Sequence, residues 1–302
     1  MLNNEKRLLS RYFTLYVIHC YHQNNKIQKM TKMNLTRKEI ETYQKQGLLV
    51  ISVSNIIKQY QNEFLEECRH FLKQWDGTDI PIKNIPSVLN KLAKRNRELL
   101  GRLYKVSRRF PSAKRLACDP FFENIAKQLM GSSLVSCCNF VAVRFDLPEE
   151  NKYLTPIHQD FPYIQGSVNG ITIWLPFYEV KKEHGIPSFI EGSQNLGILK
   201  VKEYSLDEVG GSGGKSFELV TKTQIEDKNF TVFNKLAANQ CLIFDTKLIH
   251  RSEQNISKEC RISVQIRFDD ILNKDSYNRN YPEGLYLGES LKKSYPEFVS
   301  GK

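Results

Sequence analysis

The segment His158-Gln159-Asp160 places an imidazole and a carboxylate two residues apart. In an extended strand, residues two apart point to the same face, so both side chains can enter one cavity. A neutral imidazole and a carboxylate are two of the three protein ligands in the facial triad that binds non-haem Fe(II). The third ligand is expected to be a distant histidine at a strand end. His250 fits, because it follows an apolar run and the 92 positions that separate it from His158 allow several intervening strands.

Each of these residues, taken alone, has a more ordinary interpretation. A His-x-Asp pair is common in proteins that bind no metal, and a single histidine such as His250 is more often hydrogen-bonded in a core or at the surface. The other histidines occur in no comparable context: His19, His22, His70 and His184.

Arg261 adds a second kind of chemistry, because it lies 11 residues after His250 and begins an apolar strand pattern. A guanidinium binds a carboxylate through two parallel hydrogen bonds. Beside a ferrous site, a buried arginine therefore suits the carboxylate of a short co-substrate. The combination favours an iron enzyme that uses such a co-substrate.

The first part of the chain is predicted to be mainly helical, from residue 35 to 132. Thr36 and Glu39 have the spacing of a capping box, and Gly47 is expected to end the first helix. A buried strand then follows at 48–51. Further helices are predicted at 54–75, 87–108 and 120–130.

From residue 133 to 270 the pattern changes to short strands separated by loops rich in Pro, Gly and Asn. The predicted strands are 140–145, 171–175, 241–244 and 262–268. Strands with long connections favour a double-stranded β-helix, which is a cupin-like jelly roll. We therefore predict a mainly β fold with a helical buttress (α+β), and an inserted loop or lid at 204–235. The predicted organisation is an N-terminal extension (1–34), one domain (35–302) and, within it, a C-terminal tail (271–302).

The net charge of +11 is unevenly distributed along the chain. Residues 1–38 carry +7 and residues 91–115 carry +9, so the remaining residues sum to −5. This distribution argues against a nucleic-acid partner, because the positive charge lies away from the candidate site. The basic segment 91–115 is either a solvated helix face or a site for a phosphate or CoA group.

The seven cysteines include no CxxC pair and occur mostly among apolar residues. This usage is typical of reduced thiols in a cytoplasmic protein. The apolar run at 12–21 is too short to cross a membrane, so we predict no membrane partner. The sequence leaves the oligomeric state open.

Taken in order, these features resemble the phytanoyl-CoA dioxygenase family of Fe(II)/2-oxoglutarate oxygenases. The resemblance covers about residues 139–268. It rests on an ordered set: His158-Gln159-Asp160, the Trp174-Leu175 strand, the turn from Gly185 to Ser193, His250 with Ser252, and Arg261. The opening segment 35–51 also looks like the first helix and strand of the family. One departure is Gln194, which stands where the family commonly has a histidine outside the metal site.

The resemblance implies a site in which three residues ligate Fe(II), namely His158, Asp160 and His250. It also implies that Arg261, helped by Ser252, binds the distal carboxylate of 2-oxoglutarate. Trp174 is expected either to pack against this co-substrate or to serve as a core residue. The implied activity uses O₂ to hydroxylate an unactivated C–H bond, with release of succinate and CO₂.

The sequence says less about the substrate. The candidate substrate-binding residues are Arg144, Tyr163, Gln165 and Thr172, with Arg144 facing either the cavity or solvent. Their polarity favours a small polar or saccharide-like metabolite. The alternatives are an acyl-CoA or other anionic small molecule, a nucleic acid or protein substrate, and a non-catalytic jelly-roll module that only binds a ligand.

Overall fold

The computed structural model describes residues 34–138, 140–205, 215–221, 225, 229–284 and 290–300. The predicted N-terminal extension therefore lies outside the described residues, apart from Asn34. Helices dominate up to residue 130: Arg37–Gln46 (α1), Asn55–Asp76 (α2), Ile85–Arg95 (α3), Arg97–Ser107 (α4), Pro111–Ala117 (α5) and Pro120–Met130 (α6). Short helices follow later at Phe161–Ile164 (α7), Lys274–Asn278 (α8) and Leu291–Ser294 (α9).

The strands are concentrated after residue 134, as predicted, with one strand between the first two helices. They are Leu48–Ser52 (β1), Val135–Cys137 (β2), Ala142–Asp146 (β3), Ile171–Pro176 (β4), Val180–Lys181 (β5), Ser188–Phe189 (β6), Val201–Ser205 (β7), Lys215–Leu219 (β8), Lys235–Leu236 (β9), Gln240–Asp245 (β10), His250–Arg251 (β11) and Arg261–Asp270 (β12). Within the predicted insertion, β7 and β8 pair as an antiparallel hairpin, while residues 206–214 lie outside the described residues.

The capping box predicted for the first helix is confirmed. The Glu39 backbone N–H donates to the Thr36 hydroxyl at 3.2 Å, and the Thr36 N–H donates to the Glu39 carboxylate at 2.7 Å. The helix ends at Gly47, whose φ of 72° is in the left-handed region. Gln194 donates to the carbonyls of Gln44 and Lys45, so the residue that departs from the family pattern binds the end of this helix.

The single helix predicted over 87–108 is wrong, because α3 and α4 are separate helices that meet at Asn96. The backbone of Asn96 is not helical (φ −150°, ψ 77°), and its side-chain oxygen accepts a hydrogen bond from the Leu99 N–H at 3.1 Å. Asparagine is a strong N-cap because it satisfies such an orphan donor. Leu92 and Leu99 are both buried on either side of the break, which is why the apolar pattern resembles one continuous helix.

A six-stranded antiparallel sheet forms the main body, in the order β1-β10-β4-β12-β2, with β3 also paired to β12. Strand β12 is ten residues long, and its side chains alternate between the two faces of the sheet. Its apolar side chains belong to the large core cluster that includes the N-terminal helices: Ile262, Val264, Ile266 and Phe268. The opposite face carries polar side chains: Arg261, Ser263, Gln265, Arg267 and Asp269.

A smaller sheet packs over this polar face. Strand β11 pairs with β6, and isolated bridges extend the sheet to His158 on one side and Thr231 on the other. Its Phe189 ring lies 5.1 Å from the ring of Phe244 on the main sheet. The two sheets therefore enclose a common interior, as in the predicted jelly roll.

The helices cover the outer face of the main sheet, which is the buttress that the sequence predicts. The ring of Phe64 on α2 lies 4.4 Å from that of Phe177, and the buried Gln61 amide donates to the Pro176 carbonyl at 2.6 Å. Among the described residues, we find no helix with the length and apolarity that crossing a membrane requires.

The predicted C-terminal tail is packed against the jelly roll as far as it is described. Tyr295 is fully buried, its ring lies 5.0 Å from that of Phe161, and its hydroxyl donates to the Gly166 carbonyl at 2.9 Å. Since Phe161 directly follows Asp160, this segment supports the helix that begins at a candidate metal ligand.

We predict that Gly47→Ala destabilises the protein far more than Gly77→Ala. Both glycines end helices with φ near +70°, where a Cβ costs about 1–2 kcal/mol. A Cβ at Gly47 would also lie within 2.8 Å of Gln194 and Leu248, whereas no atom lies within 4 Å of one at Gly77. Such overpacking adds about 1–3 kcal/mol. Equal free energies of unfolding for the two variants in urea would contradict this account.

Candidate active site

Two of the predicted ligands are held side by side by backbone pairing. The His158 N–H donates to the His250 carbonyl at 2.9 Å, and the His250 N–H donates to the His158 carbonyl at 3.0 Å. Residues directly opposite each other in an antiparallel pair share a face. The two imidazole rings accordingly lie with their centroids 4.1 Å apart.

Each imidazole is oriented by a backbone carbonyl. His158 Nδ1 lies 2.7 Å from the Pro156 oxygen, and His250 Nδ1 lies 2.9 Å from the Leu248 oxygen. A carbonyl only accepts hydrogen bonds, so Nδ1 carries the proton in both rings and Nε2 has a free lone pair. Burial and the neighbouring His158 lower the pKa of His250 to about 3, which keeps it neutral.

The two oxygens of Asp160 have different surroundings. Oδ1 lies 3.4 Å from Nε2 of His158 and 3.7 Å from Nε2 of His250. Oδ2 accepts hydrogen bonds from the Thr172 hydroxyl at 2.7 Å and from Nε and Nη2 of Arg267, each at 3.3 Å. Burial raises the pKa of Asp160, but Arg267 and the imidazoles outweigh this effect, so the pKa lies well below its usual value.

The three side chains fit a divalent metal ion. One ligand atom from each of His158, Asp160 and His250 lies within 4.8 Å of the other two, and all three residues are buried. Two neutral imidazole nitrogens and one ionised carboxylate oxygen are the donor set of the facial triad, which leaves further coordination positions open. The fold therefore brings together the three residues that the sequence predicts as metal ligands.

Arg261 lies in the same interior, in a network of buried charges. Its Nη2 donates to Asp146 Oδ2 at 2.6 Å, and Arg144 donates to the other oxygen at 2.7 Å. Nη1 donates to the His184 carbonyl at 3.2 Å, and the guanidinium carbon lies 5.7 Å from the centre of the Trp174 ring. Although burial raises the pKa of Asp146, Arg261 and Arg144 hold it far below its usual value. Two positive charges thus share one carboxylate.

Comparison with known proteins decides the family. A sequence model of the phytanoyl-CoA dioxygenase (PhyH) family matches residues 43–263. This chain belongs to the phytanoyl-CoA dioxygenase family. It is therefore an Fe(II)/2-oxoglutarate-dependent dioxygenase, whose cofactor is Fe(II) and whose co-substrates are 2-oxoglutarate and O₂.

Solved structures share the fold at low sequence identity. The non-heme alpha ketoglutarate dependent carbocyclase SnoK from nogalamycin biosynthesis is 17% identical, with a TM-score of 0.52, covering 83% of this chain and 93% of that one. The non-heme alpha ketoglutarate dependent epimerase SnoN from the same biosynthesis is also 17% identical, with a TM-score of 0.50, covering 77% and 82%. These similarities confirm the predicted double-stranded β-helix.

Two other residues that the sequence places in the site of this dioxygenase, Tyr163 and Ser252, lie close to the metal-ligand candidates. The ring of Tyr163 meets that of His158 edge-on, with centroids 5.7 Å apart, and is covered by Phe217 of the β7–β8 hairpin. Ser252 follows β11, where its N–H donates to the Thr155 carbonyl at 3.0 Å.

The structure also shows the surroundings of the other three predicted substrate residues. Thr172 donates to Asp160 rather than facing a free cavity. Gln165 is buried at the end of α7, with its amide against Gly284. Arg144 binds Asp146 and lines a cavity of about 560 Å³ whose walls do not include the metal-ligand candidates.

The sequence analysis missed Asp146 and Arg267, although both contact residues that it had selected. Arg267 has the same strand parity as Arg261 and lies six residues further along β12. Asp146 is harder to identify from the sequence, because its only distinguishing feature is its position two residues after Arg144. Each role depends on strand register: Asp146 is opposite Arg261, and Arg267 is opposite Thr172.

We predict that Asp146→Asn lowers the free energy of unfolding by about 3–5 kcal/mol, because it leaves buried guanidiniums without their carboxylate. Glu150→Gln is the matched control, since it removes a half-exposed partner of the exposed Arg97, an ion pair at the surface that is worth less than about 1 kcal/mol. Urea titrations of the wild type and the two variants measure both values. A loss for Asp146→Asn as small as that of the control would contradict the pairing.

The effect of Asp146→Asn should also depend on pH. A carboxylate with a lowered folded pKa stabilises the protein above its unfolded pKa of about 4, and this stabilisation is lost as the pH falls towards the folded value. The difference in unfolding free energy between the wild type and Asp146→Asn should therefore be constant near neutrality. It should shrink below about pH 5, and a difference that grows on acidification would have the wrong sign.

Proposed function

We propose that this dioxygenase hydroxylates an unactivated C–H bond of a small polar molecule, with conversion of 2-oxoglutarate to succinate and CO₂. The observation that carries the proposal is the convergence of one ligand atom from each of two histidines and one aspartate, within 4.8 Å of one another, in a buried interior. In this assignment His158, Asp160 and His250 are the Fe(II) ligands. The bound iron would supply O₂ activation, and the protein supplies orientation and exclusion of water.

Arg261 is proposed to bind the distal carboxylate of 2-oxoglutarate, with Ser252 beside it and Trp174 packed against the co-substrate. Two features support this role. Arg261 and Arg144 share the single carboxylate of Asp146, so this network has an excess positive charge that an anion would balance. The Trp174 ring also forms an apolar wall next to the guanidinium, and exclusion of water strengthens a charged hydrogen bond.

Burial supports a small-molecule substrate. The ligand candidates His158, Asp160 and His250 are only 6%, 4% and 5% exposed, so a substrate must enter the interior to reach them. The ring of Tyr163 contacts the ring of His158 edge-on. We propose that Tyr163 lies on the side of the site where the substrate binds, beneath Phe217 of the β7–β8 hairpin. Gln165 stays a weaker candidate for substrate contact.

The surroundings of the basic segment argue against an acyl-CoA substrate. Several of its arginines already pair with carboxylates of the fold, which favours a solvated face over a phosphate site. These pairs are Arg95–Asp76, Arg97–Glu150, Arg102–Glu98 and Arg115–Glu63.

The decisive experiment combines the protein with Fe(II) and 2-oxoglutarate without oxygen, and then admits oxygen. A weak visible charge-transfer band, followed by succinate formation, supports the enzyme. Absence of both in pure protein supports a non-catalytic binding module. Because the fold is shared with an epimerase and a carbocyclase, succinate is the right first measurement, and a metabolite screen then identifies the substrate and product.

We predict that His158→Ala and Asp160→Ala each abolish succinate formation and weaken metal binding, while the circular dichroism spectrum is unchanged. Each removes one of three ligands, and no other residue in the described part of the chain completes this cluster. His70→Ala is the control, because His70 lies on the exposed side of α2, away from the site. Wild-type turnover in either ligand variant would refute the metal assignment.

Arg261→Ala should raise the 2-oxoglutarate concentration needed for half-maximal succinate formation by about 10-fold or more, with metal still bound. A charged hydrogen bond contributes about 1.5–3 kcal/mol, which corresponds to this range. Arg251→Ala serves as the control, since Arg251 pairs with Glu253 on the neighbouring sheet. An unchanged requirement in Arg261→Ala would move the carboxylate anchor elsewhere.

A further inference from the structure

A cavity separate from the candidate metal site lies at one edge of the main sheet. Among the described strands, β3 pairs only with β12, so its other edge is free. Along this edge, β3, helix α4 and the loop that follows β3 line a cavity of about 560 Å³. That volume is typical of a small-molecule site. The walls include Arg144 and Asp146, so the cavity reaches the charge network of the proposed co-substrate anchor.

Arg144 has spare hydrogen-bonding capacity in the wall of this cavity. Its Nε and Nη2 donate to Asp146, and Nη2 also donates to the Tyr153 carbonyl at 2.9 Å, so Nη1 has no hydrogen-bond partner among the described residues. The side chain is 24% exposed, which leaves it accessible to a ligand. Because Arg261 binds the same carboxylate, the two guanidiniums carry one positive charge more than Asp146 neutralises.

The more exposed wall of the cavity is also positively charged. Here the Arg97 guanidinium carbon lies 5.6 Å from the centre of the Tyr153 ring, and Lys152 Nζ lies 4.9 Å from the same ring. Glu150 pairs with Arg97 at 3.0 Å, whereas Lys152 has no ion-pair partner in the described part of the chain. These groups therefore sum to a net positive charge, which attracts anions.

The other walls suit the hydrocarbon part of a ligand. The Tyr104 ring lies edge-on to that of Phe145, with centroids 6.4 Å apart, and three leucines add to this apolar surface: Leu100, Leu147 and Leu154. Gly101 lies beside Tyr104 on the face of α4 that lines the cavity, and a Cβ there would meet no atom within 4 Å. Glycine disfavours a helix, but at this position it leaves open a space that a larger side chain would fill.

We propose that this cavity binds a small organic anion, a carboxylate on an aromatic or other apolar body, and that this anion opposes the binding of 2-oxoglutarate. Arg144 Nη1 donates to the carboxylate, which satisfies both the hydrogen bond and the charge of the guanidinium. The apolar body packs against Tyr104 and Phe145. A singly charged carboxylate matches the single excess charge of the network better than a multiply charged phosphate does.

The opposition between the two ligands arises from the charge that they share. An anion on Arg144 neutralises the excess charge of Arg144, Asp146 and Arg261, so a carboxylate at Arg261 is then attracted less strongly. The reverse holds by the same amount, because coupling between two binding sites is reciprocal. This coupling rests on the proposed function, in which Arg261 binds 2-oxoglutarate, whereas the anion site itself does not.

Calorimetric titration of phenylacetate into the Mn²⁺-loaded protein tests the anion site. Its neutral analogue phenylacetamide should bind at least about 10-fold more weakly, because it cannot form the charged hydrogen bond. Gly101→Leu places a side chain in the cavity and should weaken phenylacetate binding about 10-fold or more. Gly101→Ala is the matched control, and its Kd should stay within about twofold of the wild-type value. Arg144→Gln removes the donor, should also cause a loss of about 10-fold, and provides the test if Gly101→Leu does not fold.

The coupling is measured by titrating 2-oxoglutarate at increasing phenylacetate concentrations. The Kd for 2-oxoglutarate should rise about 5-fold or more and then level off once the cavity is saturated, and Gly101→Leu should abolish this effect. An unchanged Kd at saturating phenylacetate would contradict the coupling. A rise without limit in both the wild type and Gly101→Leu would overturn the proposal, because phenylacetate would then compete at Arg261.

The site and the proposed function fail in different ways. Absence of phenylacetate binding to the wild type, or equal binding to the wild type, Gly101→Leu and Arg144→Gln, would overturn the anion site. Failure of the Mn²⁺-loaded wild type to bind 2-oxoglutarate, with phenylacetate still bound, would instead contradict the proposed function and support the anion site.

Discussion

The site depends on the different partners of the two oxygens of one buried carboxylate, that of Asp160. An ionised carboxylate in a protein interior is unstable unless charge and hydrogen bonds compensate it. Asp160 receives both on Oδ2, from the Arg267 guanidinium and the Thr172 hydroxyl. Oδ1 is then left facing the two imidazoles. The carboxylate is held ionised and oriented by the protein itself, which is the state that a metal ligand requires.

The same constraint explains why β12 is built with two different faces. One face is apolar and packs against the N-terminal helices, while the other carries Arg261 and Arg267 into the interior. Each of these guanidiniums is paired with a carboxylate from another element, Asp146 on β3 and Asp160 before α7. The helical layer is therefore needed for the site, because it buries the apolar face and so holds in place the strand that positions both charges.

Sequence patterns predicted the parts of the site that short spacing defines. His158 and Asp160 are marked by their two-residue spacing, and Arg261 by its distance from His250 and its place at the start of a strand. The same patterns could not predict that Arg267 binds Asp160, because the two residues are 107 positions apart and meet only through the register of β12 against β4. Asn96 was missed for a different reason, since its leucine neighbours keep an apolar pattern across a break that the asparagine side chain stabilises.

Gln159, the residue between the first two ligands, shows that side chains with no part in the chemistry also help to position the site. Alternation along an extended segment turns Gln159 away from the face shared by His158 and Asp160. It is fully buried, its Nε2 donates to the carbonyls of Gly197 and Lys247, and its Oε1 accepts from the Leu199 N–H. Because the Lys247 segment leads directly to His250, one amide ties the His-x-Asp segment to the approach of the third ligand. A side chain that points away from the ligands thus adds to the backbone pairing that holds them in position.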